Sequence, residues 1–262
     1  MEHRQRAYRT HGVILKRRNQ GDADRILTIF TPHRGKLDLI AKGIRKTSSR
    51  KAGHLESFSH ASLMVAQART WDIITEVVTV ESYRHIRDDL ETIGRASYVG
   101  ELLDSFTELH DENQGLWDVL LITLRELNRL ASQPDAFDAK LLLRWYEIHL
   151  LSFAGFQPQL FTCLASGEDL KEEINYLSIE EGGVYSPQYG TDLHHTEPLE
   201  PDALKILRHL LRSSWPNVAS LQIRHHVMMR VENVLHRMLI NILERQLKSV
   251  DFLRKVSRMQ RN

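Results

Sequence analysis

Short runs rich in Val, Ile, Leu, Thr and Phe recur through the first 80 residues, at 10–16, 25–30, 36–41, 62–68 and 73–80. In some of them polar and apolar positions alternate, as in a half-buried strand. Leu37, Leu39 and Ala41 fall on one face, with Asp38 and Ile40 on the other. Gly12, Gly21, Pro32, Gly35, Gly43 and Gly53 lie at or between the runs. Five strands so punctuated predict a small β-barrel or sandwich. Residues 42–54 (KGIRKTSSRKAGH) are too polar and basic for a strand and read as a long exposed loop.

From Tyr83 the period becomes helical. Leu116, Val119, Leu120, Thr123, Leu124, Leu127 and Leu130 recur every three or four residues, the stripe of an amphipathic helix. A second helix is expected with Pro134 in its first turn, an apolar face at Leu141, Leu142, Trp145, Ile148 and Leu151, and a stop at Gly155 and Pro158. Residues 156–200 lose this period and collect Pro, Gly, Ser and acidic side chains. Helices are expected again over about 202–212 and 223–247. The fold class is therefore α+β and multidomain: a β domain at 1–80, then an all-α domain at 81–262 with an irregular insert near 156–200.

Composition narrows the class. The 262 residues are 42% hydrophobic and 26% charged, ordinary values for a globular chain long enough to bury its own core. No run approaches the roughly 18 apolar residues of a membrane span, and residues 1–10 lack the apolar segment of a secretory signal. A lone cysteine, Cys163, excludes an internal disulfide and a four-cysteine zinc site. A cytoplasmic monomer or small complex is expected.

Charge changes the picture more than composition does. The net of +1 hides segments of +8 (1–80), −16 (81–202) and +9 (203–262). Such asymmetry predicts a polyanion-binding front joined to a middle used differently. Arg9, Lys16, Arg17, Arg18, Arg25, Arg34, Lys36, Lys42, Arg45, Lys46, Arg50 and Lys51 lie on or between the expected strands. Small barrels of the OB type bind nucleic-acid strands in charged grooves with rings stacked on bases. Phe30 and Phe58 read as core, Tyr8 and Trp71 as rings available for stacking.

Enzymatic motifs are absent: no Walker loop, no GxGxxG, no GxSxG elbow and no HExxH. Asp22 and Asp24 read as turn formers rather than as the metal pair of a nuclease. The adjacent pairs His194-His195 and His225-His226 lack the spacing of structural zinc sites. In the acidic middle, Lys140 and Arg144 lie four apart beside Leu141 and Trp145. They form either a basic-lipped groove for an acidic peptide or an ordinary helix whose charges pair with Asp138 and Glu147.

Residues 9–46 (RTHGVILKRRNQGDADRILTIFTPHRGKLDLIAKGIRK), the Ser49-Arg50-Lys51 echo and the L-K-S-V-D-F-L run from Leu247 to Leu253 resemble the bacterial RecO recombination-repair family. The resemblance runs the length of the chain. It implies an OB barrel, a helical domain and a zinc-finger-like insert. It also implies a mediator without catalysis that binds single- and double-stranded DNA and anneals complementary strands. Its implied partners are the acidic tail of the single-strand-binding protein, RecR and, through them, a RecA-type recombinase. The family's C-x-x-C-G and G-G-V-x-C-x-x-C are here Cys163-Leu164-Ala165-Ser166-Gly167 and Gly182-Gly183-Val184-Tyr185-Ser186-Pro187-Gln188-Tyr189. Hydroxyls do not replace thiolates on zinc, so no metal or other cofactor is expected, and Leu164, Val184 and Tyr185 are expected to pack instead. The alternative reading is a helical scaffold whose barrel binds RNA or acidic proteins.

Overall fold

The computed structural model describes residues 7–134, 136–244, 247 and 249. Among these, packing gathers the residues up to Gln133, with Ser249, into one unit and Pro134–Leu247 into a second.

In the first unit, five strands form where the alternation predicted them. These are β1 (Ala7–Gln20), β2 (Asp24–Thr31), β3 (Gly35–Ala41), β4 (His60–Ala66) and β5 (Ile73–Glu81). They close into an OB-like barrel in the order β1-β2-β3-β5-β4. β1 is long because it serves two partners, pairing Val13 with both Phe30 of β2 and His60 of β4. A bulge between Ile14 and Lys16 gives it the added twist that closure needs. β3 meets β5 in parallel at Ile40 and Ile73. Ile14, Leu27, Ile29, Leu37, Leu39, Leu63, Val65 and Ile74 fill the interior.

Two glycines are fixed by close approach. Gly35 opens β3 at φ +58°, and a Cβ there would stand 2.0 Å from the Asp111 carbonyl oxygen. At Gly100 a Cβ would crowd the buried Phe58 ring at 3.2 Å.

Three helices complete this unit: α1 (Arg84–Asp88), α2 (Leu90–Phe106) and α3 (Gln114–Ser132). The Asp89 carboxylate caps α2 by accepting from Thr92 N at 2.7 Å, and Asn113 caps α3 by accepting from Leu116 N at 3.0 Å. The α3 stripe is buried as its spacing predicts. Arg87 reaches back from α1 to the Ser57 and Ser82 carbonyls at 3.2 and 2.7 Å. Ser249, within the L-K-S-V-D-F-L run, donates its N–H and hydroxyl to Glu101 of α2 at 2.8 and 2.5 Å. The other residues of that run, Leu247 excepted, lie outside the described residues.

The second unit opens with α4 (Ala139–Phe153), whose cap is the Asp138 carboxylate accepting from Lys140 N at 2.8 Å. Pro134 is therefore not in the first turn, correcting the expectation above: a side-chain cap starts this helix four residues later. The irregular 156–200 stretch contains a small sheet of order β7-β6-β8, formed by β6 (Asn175–Ser178), β7 (Gly183–Tyr185) and β8 (Thr196–Leu199), with α5 (Pro187–Gly190) between the last two. α6 (Pro201–Arg212), α7 (Trp215–Val218) and α8 (His225–Leu243) follow. α8 ends before the expected 247 because Glu244 turns left-handed at φ 52°. Among the described residues no helix is long and apolar enough to cross a membrane.

Two histidines make stability pH-dependent. Burial, with the adjacent His11, pushes His60 below its ordinary 6.5. Burial likewise lowers His149, against a bond to the Trp145 carbonyl. Below pH 6.5 the unfolded chain binds protons that the folded chain resists. The stabilisation is thus complete above 6.5 and is lost as pH falls through the depressed folded values. Asp89 and Asp104, both lowered from 3.8, lose theirs only at more acid pH. Urea midpoints are expected to fall between about pH 7 and about pH 5.5 in the native chain, and to fall less in H60Q/H149Q. Equal slopes in the two proteins would refute the assignment.

Candidate nucleic-acid interface

The barrel's cations divide into two sets once their partners are known. Lys36 leaves β3 beside the end of α2 and donates to the Asp104 and Thr107 carbonyls at 2.7 and 2.5 Å, with Asp104 Oδ1 at 3.2 Å. Its side chain is only 12% exposed. A cation there answers the negative end of the helix dipole and the orphan carbonyls of the last turn. Lys16 pairs with the same Asp104 carboxylate. Burial raises the Asp104 carboxyl, but the two lysines outweigh it and hold it below the usual range. Lys36 thus serves as the cap of α2, which corrects its expected place in a strand-binding track. Lys36→Met is expected to cost about 1.5–3 kcal/mol of stability, the worth of bonds from a charged donor. It should leave the salt dependence of DNA binding unchanged, as denaturation and titration of one sample would show.

The second set surrounds the turns at β1–β2 and β4–β5. The loop that follows β3 is strapped to the β1–β2 turn. Arg45 N donates to the Ala23 carbonyl at 2.9 Å and Arg45 Nη1 to that of Gly21 at 3.1 Å, while Gly43 N donates to Asp24 Oδ1 at 2.7 Å. Asp24 is therefore a loop fastener, as a turn-forming role predicts. On the barrel wall the Arg18 guanidinium lies 5.5 Å from the Trp71 ring of the β4–β5 turn. Arg18 also pairs with Asp38 at 3.0 Å, and Asp38 accepts from Thr28 at 2.6 Å. Next to Trp71, Asp72 accepts from the Tyr8 hydroxyl at 3.4 Å, and Arg34 stacks 4.0 Å over the Tyr8 ring. Burial and Asp72 push the Tyr8 phenol up to about 12, keeping it a neutral donor.

Arg9, Lys42, Arg45, Lys46 and Arg50 are exposed and, among the described residues, have no carboxylate partner. Lys51 is half-buried and donates to the Ile74 carbonyl at 3.1 Å. Arg17 pairs with Glu56 at 2.6 Å, and Arg25 donates to Asn19 at 3.2 Å. Arg69, exposed in the β4–β5 turn beside Trp71, joins this set although the strand pattern did not single it out. The signal was available: Q-A-R-T-W-D places a cation and a ring in the turn between two strands. Phe30 and Phe58 are buried, as their apolar surroundings predict. A cleft of about 730 Å³ runs beside Arg17, Arg18, Thr28 and Asp38 to α2.

The expected peptide groove on α4 is not open. Leu141, Arg144 and Trp145 are buried, leaving Lys140 exposed. Arg144 pairs with Glu147 at 2.5 Å and Glu232 at 3.2 Å, so its guanidinium is already committed. Trp145 Nε1 donates to the Ser213 carbonyl at 2.9 Å. Of the two readings of this helix, the pairing with Glu147 describes the contacts and a basic lip does not, but the pair is internal rather than on the exposed face that was expected. The physical reason is that α4 is buried on every face from Leu141 to Ile148.

In the insert, Cys163 is buried and accepts from the Ser186 N–H at 3.3 Å and the Ser186 hydroxyl at 3.6 Å. Burial raises its thiol, but these bonds and the N–H groups of Ser166 and Ala165 bring it down to about 7. One thiol, two serines and the exposed Tyr189 do not fit zinc, which takes four thiolate or imidazole ligands in structural sites. Among the described residues no cluster of three His, Cys, Asp or Glu is placed to hold a metal. Val184 is buried, and Leu164 lies against Gly183, where a Cβ would meet it at 2.8 Å.

An OB-like barrel with exposed cations, followed by a helical region, defines a two-part chain of the OB-barrel class. The chain belongs to the recombination protein O family, whose N-terminal model matches residues 5–83 and whose C-terminal model matches 87–251. It is similar to the DNA repair protein RecO of Roseiflexus sp. (strain RS-1), 39% identical over 258 residues covering 98% of this chain and 89% of that one. The DNA repair protein RecO of Dehalococcoides mccartyi (strain ATCC BAA-2266 / KCTC 15142 / 195) is 32% identical over 254 residues, 96% of each. Membership carries a role in DNA repair and recombination.

Proposed function

We propose that this protein is a DNA-binding recombination mediator that works without catalysing a reaction. It binds single- and double-stranded DNA on the barrel, anneals complementary strands, and helps a RecA-type recombinase load on DNA coated by the single-strand-binding protein, with RecR as partner. The observation that supports this reading is that Arg45 ties the loop after β3 to the β1–β2 turn while Arg18 and Arg34 lie against the Trp71 and Tyr8 rings. Cations there neutralise phosphates without reading sequence, and rings give each base a stacking face, so binding to any sequence follows.

The test is a fluorescence titration of a labelled single-stranded oligonucleotide over a range of salt. With about five phosphates neutralised, log affinity should fall with log salt at a slope of about −3.5. A slope shallower than about −1 would remove the proposal. Strong preference for RNA of equal length would favour the scaffold reading instead. We propose that the acidic tail of the single-strand-binding protein meets the second unit, where Lys140 is the cation of α4 that is exposed once Arg144 is internal.

A further inference from the structure

Several cations of the second unit, Arg144, Arg224, Arg230 and Arg237 among them, pair with its acids, whereas those of α6 have no ion pair among the described residues. On α6, Lys205, Arg208 and Arg212 follow at spacings of three and four, one stripe of the helix, with His209 beside them. Lys205, His209 and Arg212 are exposed and, among the described residues, have no carboxylate partner. The stripe is built rather than loose. Arg208 Nε donates to the Leu160 carbonyl at 2.7 Å, and Arg212 packs 3.6 Å from the centroid of Phe161, which also has Arg208 at 5.5 Å. Burial and the like charge of Arg212 lower Arg208 from its ordinary value, against the attraction of Asp169. Two guanidiniums are thus held beside one ring and one another, a placement that raises their mutual repulsion and that an anion would relieve. Asp169 attracts Arg208, and Asp202, at the start of α6, pairs with Arg224 at 3.3 Å.

We infer that this face of α6, with Phe161 beneath it, is a second phosphodiester-binding surface, separate from the barrel, so that one chain holds two DNA segments. The occupant is a nucleic-acid backbone rather than an acidic peptide tail for a physical reason. An acidic tail held by its apolar side chains needs an open apolar pocket, and here Arg212 covers the Phe161 ring. A convex row of cations suits a repeating charge. The inference rests on the barrel reading, since annealing by one chain needs two sites.

The experiment compares the full chain, K205Q/R212Q, and the barrel variant R45E/K46E/R50E/R69E. Labelled single strands are titrated over a range of salt, and annealing of two complementary oligonucleotides is timed. Arg208 is left in place because it holds the loop at Leu160; thermal denaturation confirms that each variant folds. Loss of two cations from α6 should reduce the salt slope by about 1.4 and slow annealing more than it weakens binding of one strand. The barrel variant should retain a salt-sensitive residue of binding that the combined variant loses. An unchanged slope and annealing rate in K205Q/R212Q, with binding lost in the barrel variant, would overturn this inference and leave the barrel reading standing. Undiminished binding in the barrel variant would overturn the barrel reading instead. If K205Q/R212Q loses affinity for an acidic peptide while keeping its DNA slope, the surface belongs to a protein partner and the assignment to DNA fails.

Discussion

Reversing Arg45, Lys46, Arg50 and Arg69 to glutamate is expected to flatten the barrel's own part of the salt dependence of single-strand binding from a slope of about −3.5 to about −0.7, with the share of the α6 surface left in place. These four are chosen because each is exposed and, among the described residues, none is paired with a carboxylate, so each has a full charge to give a phosphate. Lys16, Arg17 and Arg18 would each have to leave Asp104, Glu56 or Asp38 first, and their net contribution is smaller for that reason. Four contacts at about 0.7 each remove about 2.8 from the slope, and at 0.1 M salt this amounts to roughly a 500-fold loss of affinity. Folding should be little affected, since exposed loop cations are worth little to stability and the Arg45 N–H to Ala23 and Gly43 N–H to Asp24 bonds still hold the loop when the Arg45 side chain's bond to Gly21 is lost. A loss of less than about tenfold at that salt would show that the DNA lies elsewhere on the molecule.

The second large effect is one of stability. Glu147 is fully buried, and its carboxylate answers Arg144, whose side chain is 6% exposed. Glu147→Leu removes the carboxylate and leaves a guanidinium in the core of the second unit. Such half-removals cost about 3–5 kcal/mol because the desolvated charge loses its buried counter-charge. Glu232 remains at 3.2 Å from Arg144 but is 38% exposed, so the expected loss lies near the lower end. The double change Arg144→Met/Glu147→Leu should recover most of it, because replacing both charges by apolar groups of similar volume removes the penalty with the pair. Urea unfolding followed by tryptophan fluorescence reads both. Single and double variants of equal stability would mean that the two charges do not depend on one another. DNA affinity of the barrel is expected to be the same in all three proteins.

These two predictions draw on different kinds of knowledge. The five strands were legible because alternation is a local property: Leu37, Leu39 and Ala41 face inward whatever else the chain does. The α3 stripe was legible for the same reason. α2 was less so, since Thr92, Gly94, Ala96 and Gly100 occupy its buried face and small residues mark a face weakly. Arg144 carried a signal that the charge pattern obscured. L-L-L-R-W-Y-E-I is apolar all round at helical period, so the helix had to be buried, and two opposite charges three apart inside it had to be a pair. Lys36 carried no such signal. Its partners lie 68 and 71 residues further along, and nothing near it in sequence distinguishes it from Lys42.

By itself, then, the chain determined its β-then-α order, the inward faces of its strands and helices, the concentration of cations at its front, and its want of a four-cysteine metal site. All of these follow from residue type and short spacing. Which cations are free was decided only in three dimensions. A charge within a few ångströms of a carboxylate or a helix end is spent, one facing water is available, and that distance is set by where distant segments pack.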